Sequence, residues 1–398
     1  MSVLLILTVG TGTKGAHSNL AQGLVNTLHQ IRPRKFWLVP SMSPDSTAVA
    51  EMVRDGAPGD SQFQPWSAMA PFRGIDHHDD LFSCRTAIRE VICAARRDLG
   101  STEQLMVNPT SGTKQMSVAA VLAALDEEIG EIVFTVGDRA DGVVKTGTER
   151  MAQFSTRQFL LERDLRQATE LFAAGAFFAA ARLLKSYPDS EAARAREIAL
   201  CLQEWQRMNY AKAAGHAARF SEQIRTHLKR LSEAGAFSVE VLADLLAGAG
   251  ELLRWGDCEE ALARYYRGAE QTAKVRLAVE HDIIPPYRRD ALLKLLPAGS
   301  TLAKEIQERS TGGEVLLGND RAWRVLQEVR DPLADAYFAD SLLQRGLRQR
   351  HESMFGHGTQ PVEPSLVRSV RDRIQELLRH HFPAAADASA KVIRPIGF

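Results

Sequence analysis

Long hydrophobic runs are missing from this sequence. The apolar stretch near its start, Val3 to Leu7, lacks a preceding basic segment and is far shorter than the roughly 20 residues that span a bilayer, so neither a membrane helix nor a leader is expected. An excess of charge is missing too: 49 Lys and Arg offset 49 Asp and Glu, so no global field draws the chain to a polyanion and any anion site must be local. The four cysteines, Cys84, Cys93, Cys201 and Cys258, form no CxxC pair and no zinc or disulfide spacing. Buried thiols in a reducing cytoplasm are the expectation. Disorder is excluded over most of the 398 residues by 45% apolar content.

What is present falls into two characters. Up to about residue 150, short apolar runs alternate with helical spacing. Strands are expected at Val3 to Val9, Lys35 to Pro40, Leu105 to Val107 and Glu131 to Val136, with helices carrying Leu20, Leu24 and Leu28, then Ile88, Val91 and Ile92, then Met116, Ala119 and Ala123. Such alternation implies crossover connections and a mainly parallel sheet covered on both faces, an α/β Rossmann-like domain over residues 1–150. Beyond Arg150 strand-like runs vanish, and Ala, Leu, Glu and Arg recur at helical spacing. An all-α region is expected there, divided into a connecting segment, 151–250, and a C-terminal domain, 251–398. Segments starting at Gly175 and Gly256 resemble each other loosely, but no regular period supports a solenoid. The stretch Ser310 to Asp320 is expected to be a loop or small hairpin.

Two loops follow strands in the first region, Gly10-Thr11-Gly12-Thr13 and Asn108-Pro109-Thr110-Ser111-Gly112-Thr113-Lys114. Loops at the carboxyl ends of parallel strands line ligand crevices, and a helix that begins there offers free N–H groups to an anion. A Walker loop is excluded because Thr113 separates Gly112 from Lys114, and the first loop has no acidic residue about 20 positions on to hold a ribose. A nicotinamide-dependent oxidoreductase is disfavoured on that ground. Either loop alone reads as a polar turn with a helix cap; two in one domain favour a ligand site.

A second cluster, Arg345, Arg348, Arg350, His351 and His357, follows a helical stripe. A metal-free ribonuclease needs a base for the 2′-OH, an acid for the leaving oxygen and a cation for the phosphorane-like transition state, and His and Arg supply these near neutral pH. On one straight helix Arg350 and His357 would stand two turns, about 10 Å, apart, although Gly356 and Gly358 favour a break. Considered by itself, this cluster reads equally as a solvated basic helix end. The run Asp76-His77-His78-Asp79-Asp80 lacks partners at metal-ligand spacing and reads as a polar loop before a helix. Tyr265, Tyr266 and Arg267 read as helix packing with an edge that could border the basic cluster.

With both clusters in view, the chain resembles the CRISPR-associated CARF-HEPN ribonucleases of type III systems. Asn108 to Met116 resembles the family's second ligand loop, with Ser111 where Gly is usual; Gly10 to Thr13 resembles the first; and Ser41, Ser43 and Ser46 resemble its serine-bearing loop. Arg350, six residues, then His357 fits the HEPN pattern, with the polar His351 after the arginine. The resemblance implies a CARF sensor domain that binds a cyclic oligoadenylate through Gly10, Thr11, Gly12, Thr13, Ser41, Ser43, Asn108, Pro109, Thr110, Ser111, Gly112, Thr113, Lys114 and Met116. It also implies a homodimer, and a HEPN site with Arg350, His357 and His351 as catalytic residues, supported by Arg348. Single-stranded RNA is then cut without metal or cofactor, leaving a 2′,3′-cyclic phosphate, and Thr11 or Thr13 could assist slow cleavage of the activator. The competing expectation is a non-catalytic regulator with a vestigial HEPN domain.

Overall fold

The computed structural model describes residues 2–11, 17–65, 74–140, 143–145, 147–188, 190–309 and 313–394. The chain divides into two compact units, Met1–Arg163 and Asp164–Phe398.

The first unit contains β1 (Val3–Val9), α1 (His17–Ile31), β2 (Lys35–Pro40), α2 (Pro44–Asp55), β3 (Gln62–Phe63), α3 (Leu81–Arg97), β4 (Gln104–Asn108), α4 (Lys114–Asp126), β5 (Glu131–Val136), a two-residue ribbon of β6 (Arg139–Ala140) and β7 (Val143–Val144), and β8 (Arg150–Ser155). The main sheet has the order β3-β2-β1-β4-β5-β8. Its strands are parallel except β8, which runs antiparallel to β5. The continuous apolar run of β1 is divided by its two-residue period: Leu4 and Ile6 pack with α3 and α4, while Leu5, Leu7 and Val9 pack with α1 and α2. Both faces are therefore covered, as parallel sheets require.

Strand content does not end at Arg150. Phe154 packs edge-on against Phe134 at 5.5 Å, and β8 pairs along the whole of β5. Its residues are largely exposed, so an edge strand held by pairing rather than burial carries little hydrophobic pattern. The α/β unit accordingly reaches past the border expected at 150.

The second unit is helical: α5 (Arg157–Ala173), which begins in the first unit, then α6 (Phe177–Leu183), α7 (Ser190–Gln206), α8 (Tyr210–Gly215), α9 (Glu222–Glu233), α10 (Val239–Arg254), α11 (Cys258–His281), α12 (Arg289–Leu295), α13 (Thr301–Arg309), α14 (Asn319–Glu328), α15 (Pro332–Ala339), α16 (Ser341–Glu352), α17 (Pro364–His381) and α18 (Pro383–Ala390). One core joins α10 and α11 to α14 through α18, centred on Tyr265, Trp323 and Phe382. The border expected at 250 falls inside α10. A buried polar knot explains why the connecting helices do not separate there. Asp244 on α10, wholly buried, accepts hydrogen bonds from Trp205 Nε1 (3.0 Å) on α7 and Tyr210 OH (2.9 Å) on α8. It also meets both Nε and Nη2 of Arg394, at 3.0 and 2.7 Å, while Arg394 Nη1 reaches Glu251 at 2.7 Å. Burial alone would lower the Arg394 pKa; the two carboxylates outweigh it and raise it above the ordinary arginine value. Around Gly313, Arg289 N–H donates to the Gly313 carbonyl and Val315 N–H to that of Tyr287, so the described part of this segment pairs with the chain leading into α12.

Three thiols are buried and Cys93 is exposed. Burial pushes the Cys201 thiol up to about 12 and raises those of Cys84 and Cys258 as well. Titration of the native protein with a chromogenic disulfide reagent at pH 8 is expected to label one thiol rapidly, and four after unfolding; rapid labelling of two or more native thiols would contradict this assignment.

Candidate functional site

The sheet order creates a switch point. From β1 the chain moves outward to β2 and β3, and from β4 it moves outward on the other side to β5. Adjacent parallel strands whose connections diverge leave a crevice at their carboxyl ends. The loops there are the two singled out from the sequence, after Val9 and after Asn108.

They are locked against each other. Gly10 N–H donates to Ser111 Oγ at 2.9 Å, and the Thr8 hydroxyl donates to the Ser111 carbonyl. The glycines make the approach possible: a Cβ on Gly10 would lie 2.7 Å from the Gly112 Cα, and Gly112 adopts φ +119°. The Ser111 hydroxyl, where the resembled loop has Gly, thus supplies the bridge between the loops. Asn108 is buried, its Nδ2 donating to Thr135 Oγ1 (3.0 Å) and its Oδ1 accepting from Thr110 N–H (3.0 Å). Thr110 Oγ1 accepts from Thr135 N–H at 2.7 Å, and Pro109 is buried beside it. Thr113 caps α4 by accepting from Met116 N–H, and it donates to the His78 carbonyl at 2.8 Å. Met116 is wholly buried under Gly112. Ser41 is buried; its N–H donates to Ser46 Oγ at 3.0 Å, and that hydroxyl donates to the Val9 carbonyl at 2.8 Å.

The expected ligand residues therefore divide. Asn108, Pro109, Ser111, Ser41 and Met116 are buried and shape the crevice from within. Gly112 and Lys114 are exposed, and Thr11, Ser43, Thr110 and Thr113 are half-buried at its edge. Gly12 and Thr13 lie outside the described residues. In the Asp76 to Asp80 run, Asp80 caps α3 by accepting from Ser83 N–H at 2.7 Å; among the described residues no group of His, Cys, Asp and Glu has the arrangement of a metal site.

The basic cluster sits at the end of α16. Gly346 and Leu347 bury one face of this helix, and Arg345 and Arg348 stand exposed on the other. After Glu352 the chain does not continue straight. Ser353 is buried and donates from its hydroxyl to the Arg350 carbonyl at 2.8 Å. Gly356 N–H then donates to the Ser353 carbonyl, His357 N–H to the His351 carbonyl (2.9 Å) and Gln360 N–H to the Glu352 carbonyl (3.0 Å). The last carbonyls of the helix, which lack partners within it, are satisfied by the returning chain. Only glycine fits at two points: a Cβ on Gly356 would lie 2.6 Å from the His351 Cα, and one on Gly358 would lie 2.7 Å from the Glu352 Cα. His357 is thereby brought back beside the helix end that carries Arg350, not two turns farther along an axis. Both His351 and His357 are exposed.

The sequence reading left Tyr266 at the margin of this cluster; the structure puts it inside. Arg350 lies over the Tyr266 ring at 5.1 Å, and the His351 ring meets it edge-on at 5.5 Å. Helical spacing could not show this, because Tyr266 belongs to α11, 84 positions before Arg350.

A Rossmann-like unit with a switch-point crevice is followed in the chain by a helical unit with an arginine–histidine helix end. Residues 230–381 match the family model described as Csm6 HEPN domain. The fold is similar to that of Enterococcus italicus Csm6 bound to cyclic hexa-2′-fluoro-hexa-dAMP, with a TM-score of 0.61 and 12% identity over 98% of this chain and 100% of that one. Residues 230–381 are thus similar to a Csm6 HEPN domain, and the chain as a whole shares the fold of the Enterococcus italicus protein. No curated protein matches it.

The loop lock gives a direct expectation. Gly10→Ala forces a Cβ into the Gly112 backbone and is expected to cost about 1–3 kcal/mol in a urea unfolding experiment on the α/β unit's transition, as overpacking does. An unchanged transition would mean the loops are not held together by this approach.

Proposed function

We propose that the chain is an endoribonuclease of type III CRISPR antiviral defence that cuts single-stranded RNA without a metal when a cyclic oligoadenylate occupies its CARF domain. The observation that carries this reading is the convergence of Arg350 and His357 at one helix end within the segment that matches the Csm6 HEPN domain. The α/β unit is the sensor. A cyclic polyphosphate suits the start of α4, the exposed Lys114 and the hydroxyls at the crevice edge. A ring with two-fold symmetry suits a two-fold dimer, and the protein acts as a homodimer in the cytoplasm.

The chemistry is an internal transfer. A base takes the proton of a ribose 2′-OH, the 2′ oxygen attacks the adjacent phosphorus, and the 5′ oxygen leaves with a proton supplied by an acid. The products are a 2′,3′-cyclic phosphate and a 5′-hydroxyl, with no water consumed. Arg350 neutralises the phosphorane-like transition state. His357 serves as acid or base, and His351 and Arg348 hold the flanking backbone. Activation is a population shift toward the dimer arrangement in which both chains present Arg350 and His357 to one phosphate. Thr11 or Thr13 assists slow cleavage of the activator by aligning its 2′-OH.

The test is cleavage of a fluorescent single-stranded RNA in EDTA, with and without cyclic tetra- and hexa-adenylate. One ring is expected to switch cleavage on, His357→Ala to lower it at least about a hundredfold, and mass spectrometry to find 2′,3′-cyclic phosphate ends. Cleavage undiminished in His357→Ala would remove the assignment; tight ring binding with no cleavage would point to a regulator.

A further inference from the structure

Arg350 differs from several arginines of the second unit in what holds it. Arg264, Arg267, Arg276, Arg324, Arg373 and Arg394 each meet a carboxylate within 3.1 Å. Arg350 meets none among the described residues. Its Nε is buried without a hydrogen-bond partner, and its guanidinium lies over the Tyr266 ring at 5.1 Å. The same ring meets His351 edge-on, so one aromatic side chain from α11 contacts two successive residues of α16.

A carboxylate at this place would orient the guanidinium too, but it would consume the donors that a phosphate needs and cancel the charge that a phosphorane-like transition state draws on. A ring face orients the cation through its quadrupole and leaves the N–H groups uncommitted. Tyr266 itself is anchored: it packs against the core that α11 shares with α14 to α18.

We propose that Tyr266 is a positioning residue for RNA cleavage: its ring face holds Arg350 as an unpaired, preoriented cation and its T-shaped contact with His351 sets the plane of that imidazole. This deepens the reading of Arg350 and His357 as the cleavage site and rests on it. A group that orients the transition-state cation acts on kcat more than on KM.

The experiment compares single-turnover and steady-state cleavage by the full-length, activator-bound protein for wild type, Tyr266→Phe, Tyr266→Leu and Tyr266→Gln, with Arg350→Ala and His357→Ala alongside. Tyr266→Leu and Tyr266→Gln are expected to lose about threefold to thirtyfold in kcat with KM little changed, the range a cation–π contact supports. Tyr266→Phe, which keeps the ring, is expected to recover most of that loss. Tyr266 is half-buried, and thermal unfolding of each variant separates loss of folded protein from loss of rate. Wild-type kcat in the folded Leu and Gln variants would overturn the proposal, as would equal losses in Phe and Leu. Undiminished cleavage by Arg350→Ala and His357→Ala would instead overturn the site itself, so the two failures are distinct.

Discussion

The end of α16 is the constraint on which the account rests. A helix leaves its last carbonyls without internal partners, and here the chain turns back at Ser353 and supplies them from Ser353, His357 and Gln360. That closure does two things at once. It satisfies the helix end, and it returns an imidazole to the turn that carries Arg350. Had the helix run on, the two side chains would share a face about 10 Å apart, too far for one phosphate. The glycines at 356 and 358 are therefore what permits the return, since any side chain there collides with the backbone it must lie against.

Around this turn the second unit is a scaffold built on α10 and α11. Asp244 gathers Trp205 and Tyr210 from the α7–α8 stretch and Arg394 from beyond α18, and α11 presents Tyr265 to the core while Tyr266 faces the guanidinium. Breaking such a buried pair from one side leaves an uncompensated charge, so its partners are fixed together. In the first unit the equivalent constraint is the contact of Gly10 with Gly112, which sets the floor of the crevice between diverging connections. Each unit thus holds its site by a close backbone approach that only glycine permits.

Much of this was readable from the residues. The strands Lys35–Pro40 and Glu131–Val136 stand where the apolar runs put them, because a parallel sheet buries both faces and leaves an uninterrupted pattern. β8 was not readable, since an edge strand is made by its partner β5. The loop sequences marked the crevice, yet they did not show that Asn108 and Ser111 turn inward, because burial at a loop depends on what packs over it. Arg350 and His357 stood out by their spacing. Tyr266 carried no signal beyond a helical edge, because its role depends on two helices meeting.

The measurement that bears most directly on the central claim is the single-turnover RNA cleavage rate of Gly358→Ala, with activator affinity measured on the same protein. This substitution replaces neither Arg350 nor His357 and lies outside the crevice loops; it denies the chain its return path along Glu352. A fall of about a hundredfold or more with unchanged activator affinity is the expected result, since a displacement of about 1 Å in a reacting group costs that much. Cleavage at the wild-type rate would show that the fold-back does not place His357 for the reaction, and would contradict the account.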